Sequence, residues 1–206
     1  MNIPNLSFQQ YAEFNGGVLP ASIRWQFAQS HDDRFKIVEE VLDDCYRRLV
    51  DGRKTNRDHS EDAMTQHVVD MMSSAGIPAE HDPEIGGHVD IVVRAHHGFL
   101  FVVEAKKHTS YNWLSDGFRQ LATRYGVAQP GRDRGEILIY CRRRDGNKVL
   151  DLWRQRLLRD FGYVEVTEPD DGNGRLFFRT KHVCRSSGCH FYVRHKLVPL
   201  YHKPEK

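Results

Sequence analysis

Asp90 and the run Glu104-Ala105-Lys106 are the residues whose types and spacing could do chemistry, because each lies inside a short apolar stretch. The first stretch is Gly87-His88-Val89-Asp90-Ile91-Val92-Val93, and the second is Phe99-Leu100-Phe101-Val102-Val103-Glu104-Ala105-Lys106. Both read as buried strands, where a charge is costly unless something pairs with it. A divalent cation, which takes hard oxygen ligands, would reconcile two carboxylates with such a place. A three-residue loop at His96-His97-Gly98, with Gly98 in the left-handed region, sets the register of the hairpin. Asp90 then lies opposite Glu104, roughly 5 Å away at Cβ, and Lys106 joins Glu104 on that face.

The surrounding elements follow from periodicity. Phe35, Val38, Val41, Leu42, Cys45 and Leu49 predict a helix over 35–51. Asp58 to Ser60 offer caps for a second helix over about 60–75, ended by Gly76 and Pro78. Glu61 aligns with Met64, Thr65, Val68 and Met72 on that helix's apolar stripe, though a first-turn acid also simply favours the helix dipole. Residues 77–81 read as a strand. Tyr111 to Tyr125 form a helix with Leu114, Phe118, Leu121 and Tyr125 on one stripe, flanked by Trp113, Gln120 and Arg124. A buried strand at 136–141, a helix over 149–161 and strands at 163–167, 175–183 and 189–201 complete the reading. Residues 1–34 are an arm or cap, in which Phe8, Tyr11 and Phe14, then Ile23 and Phe27, allow short helices, while Trp25 fits an extended segment equally well.

The order of helix with Glu61, strand, strand with Asp90, strand with Glu104 and Lys106, helix with Gln120, and strand resembles the PD-(D/E)xK nuclease superfamily. The resemblance covers roughly residues 58–145; Val89 stands where the name-giving motif has proline. It implies an α/β protein with a restriction-endonuclease-like core, α-β-β-β-α-β, whose central mixed sheet is flanked by helices. Residues 1–57 would be the N-terminal helical arm, and 146–206 a C-terminal helix plus a basic β-hairpin extension packed on the core. The resemblance further implies that Asp90, Glu104, the main-chain carbonyl of Ala105 and Glu61 bind one or two Mg²⁺ ions, with Mn²⁺ able to substitute. Lys106 would orient or help deprotonate the attacking water, a base role that an always-protonated arginine could not take. Gln120 would touch the scissile phosphate, although Gln120 and Tyr125 lack the Gln-x-x-x-Tyr spacing of one branch of the superfamily. The expected activity is phosphodiester hydrolysis by a DNA endonuclease of bacterial defence, mobile elements or repair. RNA is the other candidate substrate, and dimerisation would serve cutting of both strands. The competing reading is a catalytically silent module that binds nucleic acid or a partner protein.

Charge is distributed unevenly. Residues 1–130 carry 13 Lys and Arg against 18 Asp and Glu, and residues 131–206 carry 17 against 10, so the later part is the expected polyanion surface. Arg142-Arg143-Arg144 is its densest cluster, to which Lys107 and Arg124 add from the core. Arg175, Arg179, Lys181, Arg185, Arg194 and Lys196 interleave with Phe177, Phe178, Phe191 and Tyr192. They could contact phosphates and bases, or be the solvated charges of an added β-layer with core aromatics. Cys184 and Cys189 beside His182 and His190 invite zinc, but a turn at 185–188 turns His190 away, and the spacing is that of no zinc finger. No stretch approaches about 18 apolar residues, and Met1-Asn2-Ile3-Pro4-Asn5 has no basic region followed by an apolar one. A cytoplasmic location is therefore expected, where disulfides are rare.

Overall fold

A computed structural model describes residues 7–14, 16–125, 127–168 and 176–204. Six α-helices and seven strands occupy the described residues: α1 (Phe8–Phe14), α2 (Ala21–Gln26), α3 (His31–Asp51), α4 (Glu61–Ser74), β1 (Ala79–His81), β2 (Ile91–Arg94), β3 (Leu100–Lys107), α5 (Tyr111–Gln120), β4 (Arg134–Cys141), α6 (Gly146–Asp160), β5 (Glu165–Glu168), β6 (Phe177–Val183) and β7 (His190–Pro199). Helix α3 starts earlier than its apolar stripe because Ser30 and Asp33 form a reciprocal capping box. Ser60, Ser110 and Asp145 likewise cap α4, α5 and α6 by accepting from backbone amides.

All seven strands form one mixed sheet in the order β1-β2-β3-β4-β7-β6-β5. Strands β3, β4 and β7 run parallel to one another, and the remaining pairs are antiparallel. The protein is thus α/β, with helices on both faces of the sheet. Phe35, Leu42, Met64 and Val68 of α3 and α4 pack with Phe101, Val103 and Tyr140 on one face. Leu114, Phe118, Trp153 and Leu157 of α5 and α6 pack with Val92, Val102, Ile137 and Ile139 on the other. Side chains alternate along β3, so Glu104 and Lys106 share the α5 face, and Ala105 and Lys107 point to the α4 side.

Three features depart from expectation. The last strands are no separate layer, because β7 hydrogen-bonds to the open edge of β4, from Arg134↔Tyr192 to Cys141↔Pro199. The helix expected over 111–125 is α-helical only to Gln120 and closes with a π turn over Leu121–Tyr125. Strand β6 begins at Phe177; Arg175 and residues 1–6 lie outside the described residues. At the N-terminus, Trp25 lies in α2 and meets the Phe99 ring edge-on at 5.6 Å, while Arg24 forms a two-pronged pair with Glu40. No helix among the described residues is long and apolar enough to cross a membrane.

Candidate active site

The β2–β3 hairpin has the register that the Gly98 turn requires, with Ile91 facing Val103 and Val93 facing Phe101. Both His97 (φ 61°) and Gly98 (φ 74°) are left-handed, and Ala95 N–H donates across the loop to Phe99 O at 3.2 Å. One residue before β2, Asp90 therefore stands beside Glu104. Strand β3 continues past the start of β2, so its amides on that edge lack strand partners. Carboxylates replace the missing strand: Asp90 Oδ2 accepts from Ala105 N–H at 2.7 Å, and Glu61 accepts from Lys107 N–H. Glu61 reaches this edge from the first turn of α4, where Thr65 Oγ1 donates to the Glu61 carbonyl at 2.9 Å and contacts the Tyr140 hydroxyl at 3.2 Å.

Lys106 ties the two hairpin acids together. Its Nζ donates to Glu104 Oε1 at 2.5 Å and lies 3.9 Å from Asp90 Oδ2. Both carboxylates thus reach one ammonium, on one side of the sheet. Glu104 is 2% exposed and Lys106 6%, and Glu104 Oε2 is buried without a hydrogen-bond partner. Burial, then the neighbouring Asp90 charge, pushes the Glu104 carboxyl up to about 7 against the pull of Lys106. Burial also raises the Asp90 carboxyl, opposed by Lys106 and the Ala105 amide. The π turn serves this corner: Tyr125 hydroxyl donates to His88 O at 2.5 Å, holding the chain that leads into Asp90. Burial, then Glu104, pushes that hydroxyl up to about 12.

The chain matches no protein-family model, no curated protein and no solved structure.

The remaining candidates divide. Gln120 ends α5 with its Oε1 buried and unpartnered. It lies three residues beyond Gly117, where a Cβ would come within 2.9 Å of Lys106 Cγ and 3.5 Å of Glu104 Cγ. The π turn, closing over five residues, also brings Gln120 and Tyr125 nearer to one stripe than an α-helix would. Lys107 is half-buried on the α4 side, and Arg124 is exposed with its backbone against Gly86.

Several cations assigned to nucleic acid have other work. Arg142 Nη2 donates to the carbonyls of Asn56 and His59, both 2.9 Å, and so fastens the turn ahead of α4. Arg194 is 2% exposed. Its Nε donates to Glu136 Oε2 at 2.5 Å, its Nη1 to Asp43 Oδ2 at 3.2 Å, and Tyr46 holds the other Glu136 oxygen at 2.5 Å. Arg179 clamps Glu39 through both Nη atoms and Glu168 through Nε, and Lys181 pairs with Glu165 at 3.0 Å. Arg194 is thereby buried away from any polyanion, while the charge of Arg179, whose side chain stays 31% exposed, is matched by Glu39 and Glu168. Arg143 and Arg144 stay exposed.

At the β6–β7 turn Cys184 faces Cys189, donating from N–H to its carbonyl at 2.8 Å; Cys184 and His182 are buried, Cys189 is exposed, and none of the four cysteines forms a disulfide. Among the described residues no group of three or more His, Cys, Asp or Glu is arranged as a ready metal site. At the acid cluster the reason is visible: Lys106 lies with Asp90 and Glu104, while Glu61 and Asp90 are engaged by main-chain amides. The donors nevertheless suit a hard cation, because the partnerless Glu104 oxygen is an unfilled ligand of the right chemistry. Gly117 was absent from the sequence-derived site, although a glycine within a helical pattern signals a close approach.

Proposed function

We propose that this chain is a metal-dependent nuclease with a restriction-endonuclease-like core, acting on DNA phosphodiester bonds from the Asp90–Glu104–Lys106 corner. The observation that carries the reading is the buried, unpartnered Glu104 oxygen, beside Asp90 and under the same lysine. A buried carboxylate oxygen left without a hydrogen-bond partner is destabilising, and groups perturbed by burial beside a charged partner cluster at functional sites. Asp90, Glu104 and the Ala105 carbonyl would hold the ion, with Glu61 at the same strand edge. Mg²⁺, or Mn²⁺ in its place, would supply charge neutralisation at the phosphate and a water of lowered pKa.

The protein's own groups do the rest. Lys106, whose ammonium stands between Glu104 and Asp90, would hold the attacking water and balance a nonbridging oxygen. The water oxygen bonds to phosphorus as the bond to the 3′ oxygen breaks. The water's proton passes to solvent, and the leaving oxygen takes one up, giving a 5′-phosphate and a 3′-hydroxyl. Arg143 and Arg144, exposed just beyond β4, are the cations at hand for the flanking backbone.

Incubating the protein with Mg²⁺ or Mn²⁺ and linear, circular or single-stranded DNA tests this. Cleavage is expected, and Asp90→Asn and Lys106→Ala should each remove it with an unchanged circular dichroism spectrum; cleavage retained by both variants overturns the site. A second reading, a silent nucleic-acid-binding module, is favoured by one observation, the lysine already neutralising the acid pair. Binding without turnover under every metal would support it.

A further inference from the structure

The roof over the acid pair is one stripe of α5. Trp113, Gly117 and Gln120 are spaced four and three residues apart, and so share a face. The Lys106 stem runs beneath Gly117, and its ammonium ends 5.2 Å from the Trp113 ring centroid. Trp113 is itself 43% exposed. Of the three tryptophans, Trp153 is fully buried and Trp25 is partly buried against Phe99. Trp113 alone leaves much of an indole in water, directly beside the most deeply buried charges of the site. Gln120 adds an unpartnered acceptor at the other end of the stripe.

From this juxtaposition we infer that Trp113 is a stacking platform for an unpaired nucleobase, so that the site takes single-stranded DNA; the inference rests on the nuclease reading above. Depth gives the first reason. In a duplex the bases stack on one another and leave no face for an indole, and a stiff helix does not fold a phosphate under α5 toward groups as buried as Glu104 and Lys106. A single strand bends, and a base leaving the stack can lie on an aromatic ring. The second reason is electronic. The Lys106 ammonium is attracted to the indole and so helps to fix the ring, and stacking on its exposed part tolerates any sequence because every base has a π-face.

The probe is an oligothymidylate of about a dozen nucleotides, within the usual site size, added in EDTA so that nothing is cut. Tryptophan fluorescence should be quenched in the wild-type protein, little changed in Trp113→Phe, and insensitive to a duplex of equal length. With Mg²⁺, Trp113→Ala should raise KM on single strands about tenfold or more with a smaller effect on kcat, and Trp113→Phe should restore much of the loss. Equal quenching in Trp113→Phe, or duplex bound and cut as well as single strand with Trp113→Ala unaffected, overturns the platform while leaving the nuclease reading intact. Trp113-dependent quenching with no cleavage under any metal supports the platform and removes the nuclease.

Discussion

At Glu104 a carboxylate is held where a protein interior disfavours charge. Its folded value of about 7 lies above the ordinary 4.5, so the folded state holds this proton more tightly than the unfolded state does. The resulting loss of stability is absent at low pH, grows as pH rises from about 4.5 to about 7, and is complete above that. Glu104→Gln, which fixes the neutral form, should therefore raise the thermal midpoint by a few degrees at pH 8 and scarcely at pH 5, while removing cleavage. Thermal unfolding at both pH values checks this, and a midpoint lowered at pH 8 would count against it. Asp90, Glu104 and Lys106 were legible in sequence because a charge breaks an apolar run visibly. The pairing of Glu61 with the Lys107 amide was not, since it depends on where β2 starts relative to the end of β3. Nor was the withdrawal of Arg194, whose partners Glu136 and Asp43 come from distant parts of the chain.

Helix α5 passes so close to β3 that its glycine is part of the site. Alanine in mid-helix ordinarily stabilises by about 1 kcal/mol relative to glycine. At Gly117 the new methyl would press on the Lys106 stem, 2.9 Å from Cγ and 3.1 Å from Cε. Gly117→Ala should preserve helix content by circular dichroism and lower the cleavage rate by about tenfold or more, through displacement of Lys106. A full rate in this variant would mean that the lysine position is not limiting. The elements themselves were readable wherever a local rule governs: the hairpin register from alternation and Gly98, and α4 from its caps and stripe. The π turn was not, because its five residues carry no local signal for it and the bond that accompanies it, Tyr125 to the His88 carbonyl, is tertiary. The insertion of β7 beside β4 was also hidden, since the pairing of distant strands leaves no local pattern.

The whole molecule is held by charges and rings that meet across the sheet. Arg194→Leu would leave Glu136 buried without its main partner, and should cost about 3–5 kcal/mol in urea unfolding; the double change Arg194→Leu, Glu136→Leu should recover much of it. Acid attacks another layer. His195, between Trp153 Nε1 (3.2 Å) and Thr180 Oγ1 (2.9 Å), and His182, buried among Phe118, Tyr163 and Phe191, are driven by burial down to about 3 and about 4. Such bases stay neutral in the fold and charge in the unfolded chain, so stability is full above about 6.5 and falls below it. Each should cost about 2 kcal/mol by pH 5, and His182→Phe should flatten that slope in denaturant titrations. The place of β7 in the sheet has a consequence in time. Residues 190–199 fill the gap between β4 and β6, so a ribosome must deliver them before β4 gains its second neighbour. A nascent chain that already carries Asp90, Glu104 and Lys106 would therefore still lack the strand that lies beside β4 in the finished sheet.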